Sequence, residues 1–248
     1  MDNPLLVLML VALTVTLLLL IWRRVRDGTT LGLRPLPAYE ALRRQPAYMV
    51  ETGRRFHMTP GRADLHTPQA PASVAGLGAL GELAQESGPS PVVTVGAPTL
   101  LPAAQGAVLR SYEASGRVAE ARPGDTHFLA ARDFPLVYGA GAGVLIGQPE
   151  VGGNVALGHI GPEMVLLAEA GQRQDVEQIL GSDDPGAMAV STVFTPHAVW
   201  GEELFAGRAY LDESPLQLAS LRTQDVLRWL VAAGILIAAA LRLLGLVG

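Results

Sequence analysis

The sequence predicts an α/β fold, namely a Rossmann-like open, mostly parallel sheet with helices on both faces, flanked by two transmembrane helices. Three observations carry this expectation. Both ends of the chain are long apolar runs. Between them a short apolar run, a Gly- or Pro-containing turn and a longer Ala/Leu-rich segment recur five times, which is the rhythm of strand–turn–helix units joined by crossovers. The stretches Val92-Val93-Thr94-Val95 and Val155-Ala156-Leu157 are near-continuous apolar runs, as strands covered on both faces require. An all-helical bundle is the rival, and the clustering of Val beside Gly turns weighs against it.

The units are expected in this order. Arg55-Phe56-His57-Met58 leads to a Pro60-Gly61 turn and a helix from about Pro71 to Gln85. A strand from Pro91 to Val95 ends at Gly96-Ala97-Pro98, before a helix from about Thr99 to Ser115. A strand from Thr126 to Ala130 ends near Asp133, before a helical segment from Phe134 to Ile146. A strand from Asn154 to Gly158 ends at His159-Ile160-Gly161, before Pro162 to Ala170. A strand from Val176 to Leu180 ends at Gly181-Ser182-Asp183, and Pro185 opens the next helix. A helix from about Glu202 to Ala209 follows, and Pro215 starts the last. Pro162, Pro185 and Pro215 suit a first helical turn, where a missing N–H costs nothing.

The terminal runs read as membrane spans. Pro4 to Trp22 is free of charge, and nineteen residues at about 1.5 Å each cover roughly 28 Å of a ~30 Å hydrocarbon core. A cleaved signal peptide carries positive charge before its apolar run. Here Asp2 precedes it, while Arg23, Arg24 and Arg26 follow. Leu227 to Val247 is the second span, with Arg228 and Arg242 reaching toward opposite interfaces. The chain thus divides into an anchor and basic flank at 1–26, an α/β domain at 27–222 and a C-terminal span at 223–248. The arginines cluster on the domain side of both spans, so the positive-inside rule places that domain in the cytoplasm and both termini outside.

Composition excludes whole chemistries. The 248 residues contain 18 arginines, no lysine and no cysteine. Disulfides, thiol nucleophiles, thiolate metal sites, Schiff-base lysines and the P-loop lysine are therefore absent. Hydrophobic residues make up 49% and charged residues 17%, with a mean hydropathy of +0.30. From 23 to 62 nine arginines face three acids, while from 63 to 221 six face eighteen. A basic juxtamembrane stretch suits an anionic leaflet, and the acidic body argues against nucleic acid.

In an open parallel sheet, ligands bind beyond the carboxyl ends of the strands. That rule selects Gly61, Gly96, Thr99, His159, Gly161, Glu163, Gly181, Ser182 and Asp183 as candidate ligand-binding residues. The competing account is that Gly, Ser, Asp and Pro are what tight βα turns and helix caps need anyway. Tyr138-Gly139-Ala140-Gly141-Ala142-Gly143 fails the dinucleotide fingerprint, because the sixth position holds Val144 or Ile146. The histidines His57, His66, His127, His159 and His197 form no helical metal-ligand pair, so no metal is expected and no cofactor is assigned. His159 beside Glu163 is the best acid/base candidate. With no G-x-S-x-G elbow, no catalytic residue is assigned and a non-enzymatic role is favoured.

The order RPLPAYEALRRQ, PVVTVGAPTLLP, GHIGPEMVLLAEAG, GSDDP, WGEELFAGRAYL and QLASLRTQDVLRWL, behind an N-terminal span and an RR-x-R flank, resembles an uncharacterised bacterial family. Its members are membrane-anchored, with a transmembrane helix at each end, and are classed only as a domain of unknown function. The resemblance covers nearly the whole chain and implies a two-span protein of the bacterial plasma membrane, without implying an activity. The expected role is an interaction or assembly module held by the bilayer through both termini, self-associating or joined to membrane-complex partners. A sensor binding a small ligand or nucleotide at the strand ends is the alternative, and a hydrolase using His159 and Asp183 is the third.

Overall fold

A computed structural model describes residues 4–28, 32–129, 133–212 and 214–243. It separates into two compact units, Pro35–Asp212 and the pair of terminal segments Met1–Arg34 with Glu213–Gly248. In the terminal unit, α1 (Pro4–Arg26) and α9 (Pro215–Leu243) pack together. Both are long and apolar enough to cross a membrane, and the apolar window of each is unburied. Residues 244–247 of the expected second span lie outside the described residues.

The larger unit is built on a six-stranded, all-parallel sheet: β1 (Arg55–Gly61), β2 (Val92–Val95), β3 (Thr126–Phe128), β4 (Val151–His159), β5 (Glu177–Ser182) and β6 (Ala198–Trp200). Their spatial order is β3-β2-β1-β4-β5-β6. The chain winds outward from β1 to β3, returns to the centre, and winds the other way from β4 to β6. The reversal leaves a topological switch point between β1 and β4.

Residues alternate between the two faces of each strand. Phe56, Met58, Val93, Val95, Val155, Leu157, Ile179 and Val199 join the larger apolar core, with buried residues of α2 (Pro37–Thr52), α3 (Ala70–Glu86), α4 (Leu100–Ala114) and α8 (Glu203–Leu211). The opposite face carries a smaller core of Ala156 and Leu180 with residues of α5 (Pro135–Ile146), α6 (Met164–Arg173) and α7 (Pro185–Phe194). That second face is also where the polar partners of the alternation point: Thr59, Thr94, His57, Asn154 and Gln178 are all buried.

Four details differ from the expected pattern. A sixth strand, β6, follows the five foreseen; three residues are too few to show a period. Helix α2 carries Pro46 in its interior, the residue that ordinarily argues against a helix. Pro60 and Gly61 form no turn, because both lie in β1. Pro162 stands ahead of α6, whose N-cap is Glu163, while Pro185 and Pro215 do open their helices. Ala130, the expected end of β3, lies outside the described residues.

Candidate functional site

The carboxyl ends of β1 and β4 approach each other more closely than side chains allow. A Cβ on Gly61 would stand 2.1 Å from the His159 carbonyl oxygen, and one on Gly158 would stand 2.0 Å from that of Pro60. Gly61 also has φ +88, a left-handed value that favours glycine. These glycines seal the backbones of the two central strands together. The chain then leaves as Arg62 from one and His159–Glu163 from the other.

An ion pair and a histidine–carboxylate pair stand on this seam. The first joins Arg62 to Glu163. The Glu163 carboxylate is wholly buried and also accepts the Gly161 N–H at 2.9 Å, which closes the loop ahead of α6. Gly96, after β2, makes room for the Arg62 stem: its Cβ would fall 2.5 Å from Cγ of Arg62 and 3.1 Å from the Tyr138 ring. Gly61, Arg62, Gly96, Tyr138, Gly161 and Glu163 therefore form one cluster.

The second pair joins His159, the last residue of β4, to Asp183, just past β5. Nδ1 of His159 and Oδ1 of Asp183 are 2.8 Å apart, and each side chain is about one-quarter exposed (26% and 25%). Sequence neighbours of Asp183 explain why it is the one that meets the imidazole. Ser182 is fully buried; its hydroxyl donates to the Ile160 carbonyl at 2.6 Å and accepts the N–H groups of Ile160 and Asp184. Asp184 caps α7 by accepting the Ala187 N–H at 2.9 Å. With Asp183 accepting at Nδ1–H, His159 is set in the tautomer whose Nε2 lone pair is available to accept a proton or a ligand hydrogen bond.

Two of the expected residues stand apart from these clusters. The Thr99 hydroxyl accepts the Leu65 N–H at 3.1 Å, tying the β1–α3 loop to the start of α4. Gly181 lies inside β5, and a Cβ there would meet Val199 of β6 at 2.6 Å. Among the described residues no group of three or more His, Cys, Asp or Glu is placed to hold a metal ion.

Sequence reasoning passed over Arg62 and Tyr138. In the sequence Arg62 reads as part of the juxtamembrane positive charge, yet it directly follows the end of β1, the position that counts in this topology. Burial pushes the Tyr138 phenol up to about 12, its hydrogen bonds with Thr59 and Thr94 opposing the shift only in part. The signal for the polar face was present as alternation: Phe56-His57-Met58-Thr59 reads apolar–polar–apolar–polar in a strand covered on both sides.

No curated protein and no solved structure matches the chain. A family model does, over residues 2–247, and the protein therefore belongs to the family defined by the domain of unknown function DUF6754.

Proposed function

We propose that this protein is a membrane-anchored ligand-binding module whose site is the β1/β4 switch point. One observation carries the reading. Arg62 with Glu163 and His159 with Asp183 bring a guanidinium, an imidazole and two carboxylates to the strand ends flanking the reversal, where open α/β sheets take their ligands. Hydrogen-bond donors and acceptors side by side suit a small polar molecule, a nucleotide or another phosphorylated metabolite. The anchoring rests on α1 and α9, with the domain on the cytoplasmic side by the distribution of arginine.

Differential scanning fluorimetry of the detergent-solubilised full chain tests the reading, with nucleoside mono-, di- and triphosphates, nucleotide sugars and inorganic phosphate as probes. A ligand at one hundred times its Kd adds roughly 2.7 kcal/mol to the native state. The expected result is a rise of several degrees with at least one probe, abolished in Asp183→Asn. No shift across the panel counts against it.

A second reading, an assembly module, is favoured by α5. This helix has no charged residue and exposes Leu136, Val137 and Val144 at 59%, 59% and 72%, beside a groove of about 350 Å3 against α6. Native mass spectrometry of the same preparation separates the two, since only assembly requires a co-purifying copy or partner.

A further inference from the structure

A single file of side chains crosses the sheet beneath α5 and α6, and its hydrogen bonds run in one direction. The far end fixes the sense. Nε2 of Gln178 donates to the Ala168 carbonyl at 3.0 Å, which leaves its Oε1 to accept from Nδ2 of Asn154 at 3.0 Å. Nδ2 also donates to the Leu167 carbonyl, so Oδ1 of Asn154 accepts from Nδ1–H of His57 at 2.9 Å. Nε2 of His57 then has only its lone pair, and Thr94 donates to it at 3.0 Å. The Thr94 oxygen in turn receives the Tyr138 hydroxyl at 3.3 Å. At the near end, Thr59 accepts the Gly61 N–H at 2.9 Å and has Tyr138 for its own hydrogen. Every amide and hydroxyl in the file is thereby given one role, and His57 is held neutral with its proton on Nδ1.

Tyr138 is the member of this file that belongs to α5. Otherwise α5 buries only Gly139, Ala142 and Ile146, so a phenol wholly out of water and held by Thr59 and Thr94 pins the helix to the sheet. We propose that proton uptake by His57 is coupled to release of this pin, making α5 the acid-sensitive element of the domain.

An imidazolium must donate from Nε2, so Thr94 has to turn its hydrogen toward Tyr138. Tyr138 then accepts from Thr94 in place of donating to it, its own hydrogen is left with the Thr94 carbonyl at 3.4 Å, and the one-way order of the file is broken. The groups set against the ring do not welcome the charge. Thr94 comes from β2 and Asn154 from β4, both neutral; His127 of β3 opposes it as a like charge; α6 contributes the Leu167 and Ala168 carbonyls that Asn154 and Gln178 engage. Arg62 and Glu163 act on Tyr138. Burial accordingly holds His57 down at about 4.

The sign follows from linkage. Between about pH 6.5 and pH 4 an opened state binds a proton that the closed state refuses, so opening grows tenfold for each unit of acidification. Amide hydrogen exchange of the detergent-solubilised full chain, corrected for intrinsic rates, reads this directly. Protection over 135–146 should fall about tenfold per pH unit across that window, with α3 on the opposite face unchanged. His57→Gln, which donates and accepts as the neutral ring does, should abolish the slope. Should that variant fail to fold, Asn154→Asp supplies a carboxylate for the imidazolium and should flatten the slope instead. A flat wild-type profile, an equal fall in α3, or a slope that survives both substitutions would overturn the proposal.

Discussion

Arg62 and Glu163 show how much of the strand-end cluster is held by charge. Their side chains are 11% and 0% exposed, so removing one partner leaves the other ionised out of water. Breaking a buried pair this way costs about 3–5 kcal/mol, whereas replacing both partners by apolar groups of similar volume is often close to neutral. Arg62→Ala should therefore destabilise the protein by about 3 kcal/mol or more, and Arg62→Met with Glu163→Leu by clearly less. Urea unfolding followed by circular dichroism in detergent checks the order. A double variant no better than the single one would show that the pair is net stabilising. The residue identities at this site were legible only in part. Glu163, His159 and Asp183 announce themselves as polar residues in βα loops. Arg62 does not, because its meaning depends on which strand is central, and strand order is not written in local pattern.

At the scale of the element, legibility follows length and period. The helices α3, α4, α5 and α8 lie close to the bounds that their composition and turn residues suggest, and α7 opens at the expected Pro185. Helix α2 and strand β6 were lost for opposite reasons, a proline that packing overrides and a strand too short to alternate. Helix α3 illustrates what composition alone hides. Its Gly76 and Gly78 read alike as small residues in an Ala-rich helix, yet they do different things. A Cβ on Gly76 would lie 1.9 Å from the Leu157 carbonyl oxygen and 3.0 Å from Cα of Pro60, so α3 lies directly on the backbone of the two central strands. A Cβ on Gly78 meets only the Arg208 side chain, at 2.7 Å, which is flexible and about half exposed. Gly76→Ala should cost about 2–3 kcal/mol through overpacking. Gly78→Ala should fall within ~1 kcal/mol of neutral, since Ala is favoured over Gly inside a helix by about that amount. Thermal denaturation of the two variants side by side measures the contrast.

For the molecule as a whole, the fold revises what the charge distribution means. Nine arginines between 23 and 62 read as one basic flank, but three of them have duties inside the domain. Arg54 donates to the Val151 carbonyl, Arg55 pairs with Asp125 and donates to the Ser90 carbonyl, and Arg62 pairs with Glu163. Of the other six, Arg23, Arg24 and Arg26 lie immediately after the apolar run of α1, with Arg26 stacked over Trp22 at 4.8 Å, and on the proposed two-span reading they are the first to bear on orientation. The positive-inside rule counts residues within about 15–20 positions of a span, so these three carry more weight than Arg54, Arg55 and Arg62 despite identical chemistry. The prediction is correspondingly selective. A C-terminal reporter active only outside the cytoplasm should be active in the unaltered protein, with both termini outside. Replacing Arg23, Arg24 and Arg26 by Gln should lower that activity by inverting a fraction of the molecules. Replacing Arg54 by Gln should leave it unchanged. Equal losses in the two variants would mean that the domain's own charge, and not the flank of the first span, sets the topology.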